Sequence, residues 1–345
     1  MGLAIKDLLE HHEVSYDQLK GKILCIDAYN LLYQFITTIR ARDGTLLMDS
    51  QGQVTSHLIG LFSRLSNFLQ KGLRMCFVFD GEVPELKSRE IQRRKKVKAE
   101  AARQYEEAKK QEDVEGMRKY AGRTSRLTKE MVEEAIGLIE AFGMPVVRAP
   151  SEGEAQAAHM TRKGDAYATV SQDFDSLMQG APRLIRNLSI TGRRKQAGRL
   201  AFQTVKPEEF LLRENLERLS IGPEQLIALA MLVGTDYNVG GIKGIGPKKA
   251  LILVRKYDES SFGSLFKEAA WDEHFDVPWK EVYNLIKNLP VTDDYKLRWH
   301  APDEGRIRKI LVEDHDFSEE RVNATLARLK ETGKARAQKG LGEFF

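Results

Sequence analysis

Four short runs of β-branched, aromatic and other apolar residues recur through the first half of the chain. They are KILCID at 22–27, MCFVFD at 75–80, MPVVRAP at 144–150 and AYATVSQD at 166–173. Each carries turn-forming residues at one end, the signature of a buried strand. Between them, apolar positions recur with helical spacing over roughly 29–41, 55–71, 128–142 and 152–163. Strand alternating with helix predicts an α/β fold, a largely parallel central sheet flanked by helices. Two further strand-like runs, PRLIRNL and GRLAFQTV, are expected to complete the sheet.

Residues 84–130 break the alternation. PELKSREIQRRKKVKAEAARQYEEAKK has little apolar periodicity, and Pro84 suits a first helical turn. This predicts an exposed helical excursion from the sheet, about 81–130. From about 205 the chain reads as helical throughout. IGPEQLIALAMLVGTDYNVGGIKGIGPKKALILVRKY (221–257) is two apolar helices joined by a Gly-rich turn. Further helices are expected over 259–268, 278–288, 303–312 and 318–332. The domain reading is an α/β core over 1–220, a helical region over 221–332 with the helix pair at 223–256, and a flexible tail over 333–345.

Composition narrows the class. The 345 residues are 42% hydrophobic and 30% charged, which suits a soluble globular protein. No apolar run approaches the ~18–20 residues of a membrane span. The opening MGLAIKDLLEHH is amphipathic, unlike a signal peptide. Lys6 stands where a myristoylation signal wants Ser or Thr, so Gly2 is not read as a lipid site. Cys25 and Cys76, the two cysteines, exclude a disulfide framework and argue against a Cys-based zinc site. A reducing, intracellular compartment is expected.

The acids fall into a pattern on this map. Asp27 ends the first strand and Asp80 the second; Glu152 and Glu154 follow the third, Asp173 and Asp175 the fourth. Ligands bind at the carboxyl ends of strands in open parallel sheets. Asp236, in GTDY, is a candidate seventh. Taken singly, each acid has a plainer role. Ser151 and Glu154 have the spacing of a capping box, and Asp173 could cap the short helix that follows. Taken together they would repel strongly unless something neutralised them. Hard oxygen ligands without His or Cys suit Mg²⁺, or Mn²⁺, rather than Zn²⁺; His159 reads as a helix-face residue. So many carboxylates point to two ions ~3.5–4 Å apart, an arrangement suited to in-line phosphoryl displacement.

Basic residues supply a second theme. The net charge of +4 is modest, but residues 81–130 hold 15 Lys and Arg against 10 Asp and Glu. Lys87 and Arg94 are seven apart, one helix face two turns on, and are read as contacts to a scissile phosphate. In GGIKGIGPKKA (240–250), Gly244 and Gly246 let backbone amides approach a phosphate, and Lys248 and Lys249 open the next helix. This is helix-hairpin-helix chemistry, a sequence-independent grip on a duplex backbone, with room for a monovalent cation in the turn. The ending QKGLGEFF predicts a partner-binding peptide in which Leu341, Phe344 and Phe345 enter an apolar pocket and Gln338 adds a polar contact.

IDAYNLLYQF, VFDGEVPELKSREIQRR, APSEGEAQAAHM, VSQDFDSL and GTDYNVGGIKGIGPKKA together resemble the motifs of flap endonucleases, the structure-specific 5′ nucleases of the Rad2/XPG family. The resemblance covers nearly the whole chain, is closest to the archaeal type, and implies a PIN/5′-nuclease-like fold. It implies that Asp80, Glu152 and Glu154 hold one ion and that Glu154, Asp173 and Asp175 hold the second. Asp27 and Asp236 would act mostly through water, and Lys87 and Arg94 would steer the scissile phosphate. Tyr33 would stack on the base beside the cut, and Arg40 and Thr55 would shape a pocket for a one-nucleotide 3′ flap. The 81–130 excursion would be an arch threaded by the 5′ strand, with Gly2 near the site. The terminal octapeptide resembles the sliding-clamp (PCNA) interaction box. The expected activity is Mg²⁺-dependent removal of 5′ flaps by a monomer in the cytoplasm or nucleoid, with 5′–3′ exonuclease activity, in Okazaki-fragment maturation and base-excision repair. Rival readings are a family 5′ exonuclease or four-way-junction nuclease, a non-catalytic clamp-bound DNA-binding module, and a small-substrate phosphatase.

Overall fold

The computed structural model of the chain describes residues 3–111, 113–188, 193–195 and 202–342, with their side chains except at 89, 114, 118, 123, 193–195, 202–204 and 334–342. Nine strands occur among them: β1 His12–Glu13, β2 Ile23–Asp27, β3 Arg74–Phe79, β4 Val146–Arg148, β5 Ala168–Val170, β6 Arg183–Arg186, β7 Arg193–Lys195, β8 Phe202–Thr204 and β9 Glu208–Leu211. Seven form one sheet in the order β1-β9-β6-β5-β2-β3-β4. The stretch β6-β5-β2-β3-β4 is parallel throughout. All four strands expected from the apolar runs are therefore neighbours, and their carboxyl ends lie on one edge.

The sheet ends differently from expectation. PRLIRNL supplies β6, but GRLAFQTV supplies β8, which pairs with β7 in a separate two-stranded ribbon. The sheet is instead extended by β9 and β1, both antiparallel additions. β9 falls inside the region read as helical, because its EEFL sequence hides its pattern behind two glutamates. Glu208 and Glu209 lie beside Arg186 and Arg183, at 3.9 and 3.8 Å, across the ladder to β6.

Helices cover both faces. On one, Ala28–Thr38, Ser56–Lys71 and Lys129–Ala141 bury Leu32, Phe35, Leu61, Leu65, Phe68 and Ile139 against Ile26, Phe77 and Phe79. On the other, Pro223–Val233 and Pro247–Val254 share a core with Leu184 and Phe210. The last helices, Glu304–Arg308 and Glu319–Gly342, return to the first face, where Ile307, Leu311, Val322 and Leu326 are buried. The 221–332 region thus packs in two places rather than as one body. Its final helix runs to Gly342 rather than 332, since Lys, Ala, Arg and Gln there are strong helix formers. The first ten residues of the expected flexible tail are therefore helical. Phe344, Phe345 and Gly2 lie outside the described residues.

The excursion forms two helices, Ser88–Lys110 and Val114–Thr124, packed against each other. Among the described residues no helix is long and apolar enough to cross a membrane.

Candidate active site

The strand ends deliver the acids by different local devices. Asp27 closes β2 and caps the next helix, its Oδ1 accepting from the Asn30 amide at 3.0 Å. Asp80 lies one residue beyond β3, and its Oδ1 accepts from the Gly153 amide at 2.7 Å. It thereby satisfies an amide at the start of the Gly153–Lys163 helix, which has no cap from its own side chains. The expected capping box is absent. Ser151 donates to the Glu82 carbonyl at 3.0 Å, so Glu154 is not committed to a backbone amide. Two close contacts leave no room for side chains here. A Cβ on Gly153 would stand 2.7 Å from Asp80 Oδ1, and one on Gly81 2.1 Å from the Ala149 carbonyl oxygen.

Two residues that the sequence reasoning passed over hold the far acids. Ser171 Oγ lies 3.3 Å from both Asp27 Oδ2 and Glu154 Oε1, so its one hydroxyl proton can serve either acid. Asn30 Nδ2 donates to Asp173 Oδ2 at 2.8 Å. Asp173 does not cap the Asp175–Met178 turn, whose leading residue Phe174 makes no side-chain cap. Asn30 and Ser171 stand inside the IDAYN and VSQDFD motifs. A hydroxyl or amide two or three residues from a ligand acid was the signal available.

Charge crowding is severe at this edge. Burial, then the Asp80 charge, pushes the Asp27 carboxyl up to about 7. Burial and Glu152 raise Asp80 to about 6, and burial and Asp173 raise Asp175 to about 7. Glu154 is raised well above the carboxylate range by burial and Asp175. Glu152, Glu154, Asp175 and Asp236 line one cavity of about 20 Å³, close to the size of a single water. Lys87 closes it, its Nζ lying 2.9 and 2.7 Å from the two Glu152 oxygens and 3.2 Å from Asp236. Arg94 donates to Asp236 Oδ1 at 2.8 Å.

Among the described residues no group of three His, Cys, Asp or Glu side chains is set to hold an ion as it stands. The ammonium of Lys87 serves as counter-ion to Glu152 and Asp236 instead. The donor set still fits a hard divalent cation, being all carboxylate, buried and short of positive charge.

The other predicted residues scatter as their chemistry requires. Tyr33 is 38% exposed, with Lys98 Nζ 5.1 Å from its ring centroid. Thr55 lines a cavity of about 950 Å³ between the Ser56–Lys71 helix and residues 315–328. Arg40 does not line it. Its guanidinium donates to the Gly44 carbonyl at 2.7 Å and to Ser125, because the loop folds towards the end of the Val114–Thr124 helix. Gly244 has φ +81°, and nothing lies within 4 Å of a Cβ there or at Gly246, so the hairpin turn has an open outer side. Lys248 and Lys249 are exposed beside it. His159 bonds Asp293 at 2.9 Å, away from the acids, as a helix-face residue.

Comparisons with known proteins agree with this architecture. Residues 1–101 match the XPG N-terminal domain and residues 143–236 the XPG I-region. Flap endonuclease 1 of Thermococcus onnurineus is 47% identical over 345 residues, covering 100% of this chain and 99% of the relative. That of Hyperthermus butylicus is 51% identical over 333 residues, covering 96% and 94%. The solved flap endonuclease-1 from Methanococcus jannaschii superposes with a TM-score of 0.75 at 40% identity, covering 97% of this chain and 100% of that one. The catalytic core of Rad2 in complex with DNA substrate, at 24% identity and a TM-score of 0.69 over 95% and 100% of the two chains, shares the fold. With both XPG regions in place and whole-length identity near one half, the chain belongs to the flap endonuclease family of metal-dependent nucleases.

Proposed function

We propose that the carboxylate edge holds two Mg²⁺ ions, with Mn²⁺ able to replace them, and cuts one phosphodiester at the base of a 5′ flap. The observation that carries this reading is the convergence of acids from four adjacent strand ends with two arch cations held among them. Asp80, Glu152 and Glu154 would hold one ion, Glu154, Asp173 and Asp175 the other, with Asp27 and Asp236 acting through water. When bound, the ions supply a nucleophile at neutral pH and neutralise charge on the transferred phosphoryl group.

The chain's own residues do the rest. Ser171 and Asn30 fix the rotamers of Asp27, Glu154 and Asp173. Lys87 and Arg94, which neutralise Glu152 and Asp236 here, would turn to the scissile phosphate with ions in place and would stabilise its developing charge. Tyr33 offers a ring to stack on the adjacent base. Thr55 and the 950 Å³ cavity receive a one-nucleotide 3′ flap. The arch admits the single strand. Gly244, Gly246, Lys248 and Lys249 grip the duplex phosphates, with a monovalent cation in the turn. Gln338, Leu341, Phe344 and Phe345 tether a monomer to the sliding clamp inside the cell, in the cytoplasm or nucleoid.

Full-length protein with Mg²⁺ and a 5′-labelled flap duplex tests the reading. Release of the flap, leaving 5′-phosphate and 3′-hydroxyl ends, is expected. An intact flap overturns it.

A further inference from the structure

Glu90 is the one acidic residue on the Ser88–Lys110 helix that is buried. It is 2% exposed, whereas Glu100, Glu106 and Glu107 of the same helix face solvent. An ionised carboxylate there needs partners, and its partners are specific. Oε1 accepts from Arg94 Nε at 2.5 Å and from an Arg93 terminal nitrogen at 2.8 Å, and Oε2 accepts from Arg93 Nε at 2.6 Å. The Arg93 hydrogen bond, with Arg94 beside it, holds the carboxyl down at about 2, so it stays charged through the working pH range. Its place in the first helical turn favours a negative charge further.

Arg94 is thereby anchored at two points. Its Nε is fixed by Glu90 from within the helix, and a terminal nitrogen reaches Asp236 across the cavity mouth. A free arginine side chain samples many rotamers, and its guanidinium has five donors. Using Nε for the anchor leaves the terminal N–H groups for an incoming phosphate. If Asp236 engaged a bound ion through water, Glu90 would be the anchor that persists.

We propose that Glu90 is a positioning residue for phosphodiester cleavage, orienting the Arg94 guanidinium towards the scissile phosphate. The proposal rests on the reading of Arg94 as a phosphate contact. It assigns Glu90 no contact with DNA or metal, so removing it should slow the chemical step and spare flap binding. A misplacement of about 1 Å costs up to a hundredfold in rate, and a ten- to hundredfold loss is expected in Glu90→Gln.

The experiment is single-turnover cleavage of a labelled 5′-flap duplex with Mg²⁺ by full-length wild type, Glu90→Gln, Arg94→Ala and the double variant. Flap affinity and thermal midpoint are measured alongside. The expected result is a ten- to hundredfold slower step in Glu90→Gln with affinity within twofold, and no further loss when the change is added to Arg94→Ala. An unaltered rate in Glu90→Gln, or the same fold-loss in the Arg94→Ala background, overturns the positioning role. A general structural defect falls under the second result, because it would slow both backgrounds alike. Wild-type rates in Arg94→Ala would instead overturn the reading of Arg94 itself.

Discussion

The crowded carboxylates make stability without metal depend on pH in a direction opposite to that of an ordinary ion-paired acid. Asp175 is shifted from 3.8 to about 7 by burial and by Asp173. An acid raised on folding keeps its proton in the folded state while the unfolded chain has already lost it. The folded state therefore binds more protons between the two values, and stability falls as pH rises through that window. The stabilisation is complete below pH 3.8 and gone above about 7. The part of this span above pH 5 corresponds to about 3 kcal/mol for Asp175 alone. Asp27 and Asp80 shift the same way and share the same repulsion, so they deepen the fall without tripling it. The Glu90 ion pair has the opposite sign but titrates below pH 4.5, outside the range. Urea unfolding at matched ionic strength and pH 5, 6, 7 and 8 in chelator measures the fall, and repeating it in Mg²⁺ measures the recovery. Metal at 100 times its dissociation constant should restore about 2.7 kcal/mol. Asp175→Asn should flatten the profile, which separates the effect from the exposed His12–Glu214 pair titrating nearby. Stability that stays level or rises from pH 5 to 8 in chelator, or an unaltered slope in Asp175→Asn, would rule out buried protonated acids as the source of the fall.

Other consequences are as direct. Asp80→Ala is expected to abolish cleavage while retaining junction binding in a gel-shift assay. Lys87→Ala should slow single-turnover cleavage by roughly a hundredfold or more, as loss of one preorganised charge contact does elsewhere. Gly81→Ala would press a Cβ to 2.1 Å from the Ala149 carbonyl oxygen and should cost about 2–3 kcal/mol in urea unfolding. His315 lies 2.9 Å from Asp49 and 3.7 Å from Glu134 at the edge of the cavity that Thr55 lines. Its replacement by Leu removes the Asp49 contact and should lower the thermal midpoint and, on the proposed role of that cavity, weaken preference for substrates with a one-nucleotide 3′ flap, read from KM ratios. Deleting residues 338–345 should remove stimulation by the clamp and leave basal cleavage intact in a paired kinetic assay.

The strand ends and their acids were legible in the sequence because buried parallel strands are short, apolar and closed by turn residues. Asp27, Asp80, Glu152, Glu154, Asp173 and Asp175 follow from counting along those runs. What holds them was less legible. Asp80 serves as cap to a helix 73 residues away, a contact no local spacing encodes. Ser151 carries a capping-box spacing, yet its hydroxyl is used by Glu82. β9 was hidden because its ladder faces arginines as well as core, so glutamates replace the expected apolar alternation. Arg40 turns away from the cavity that Thr55 lines because a loop's direction is set by its tertiary partner, here Ser125, which no local spacing encodes. The burial of Glu90 has no signal in the sequence, since it depends on where two neighbouring arginines turn.

A cleavage map on a double-flap substrate asks whether the acids at four strand ends use divalent metal to cut a 5′ flap. Full-length protein should give one cut at the base of the 5′ flap with Mg²⁺, none in chelator, and none with Asp175→Ala. Cutting that persists in chelator, or at the wild-type rate in Asp175→Ala, would contradict that role for the acids.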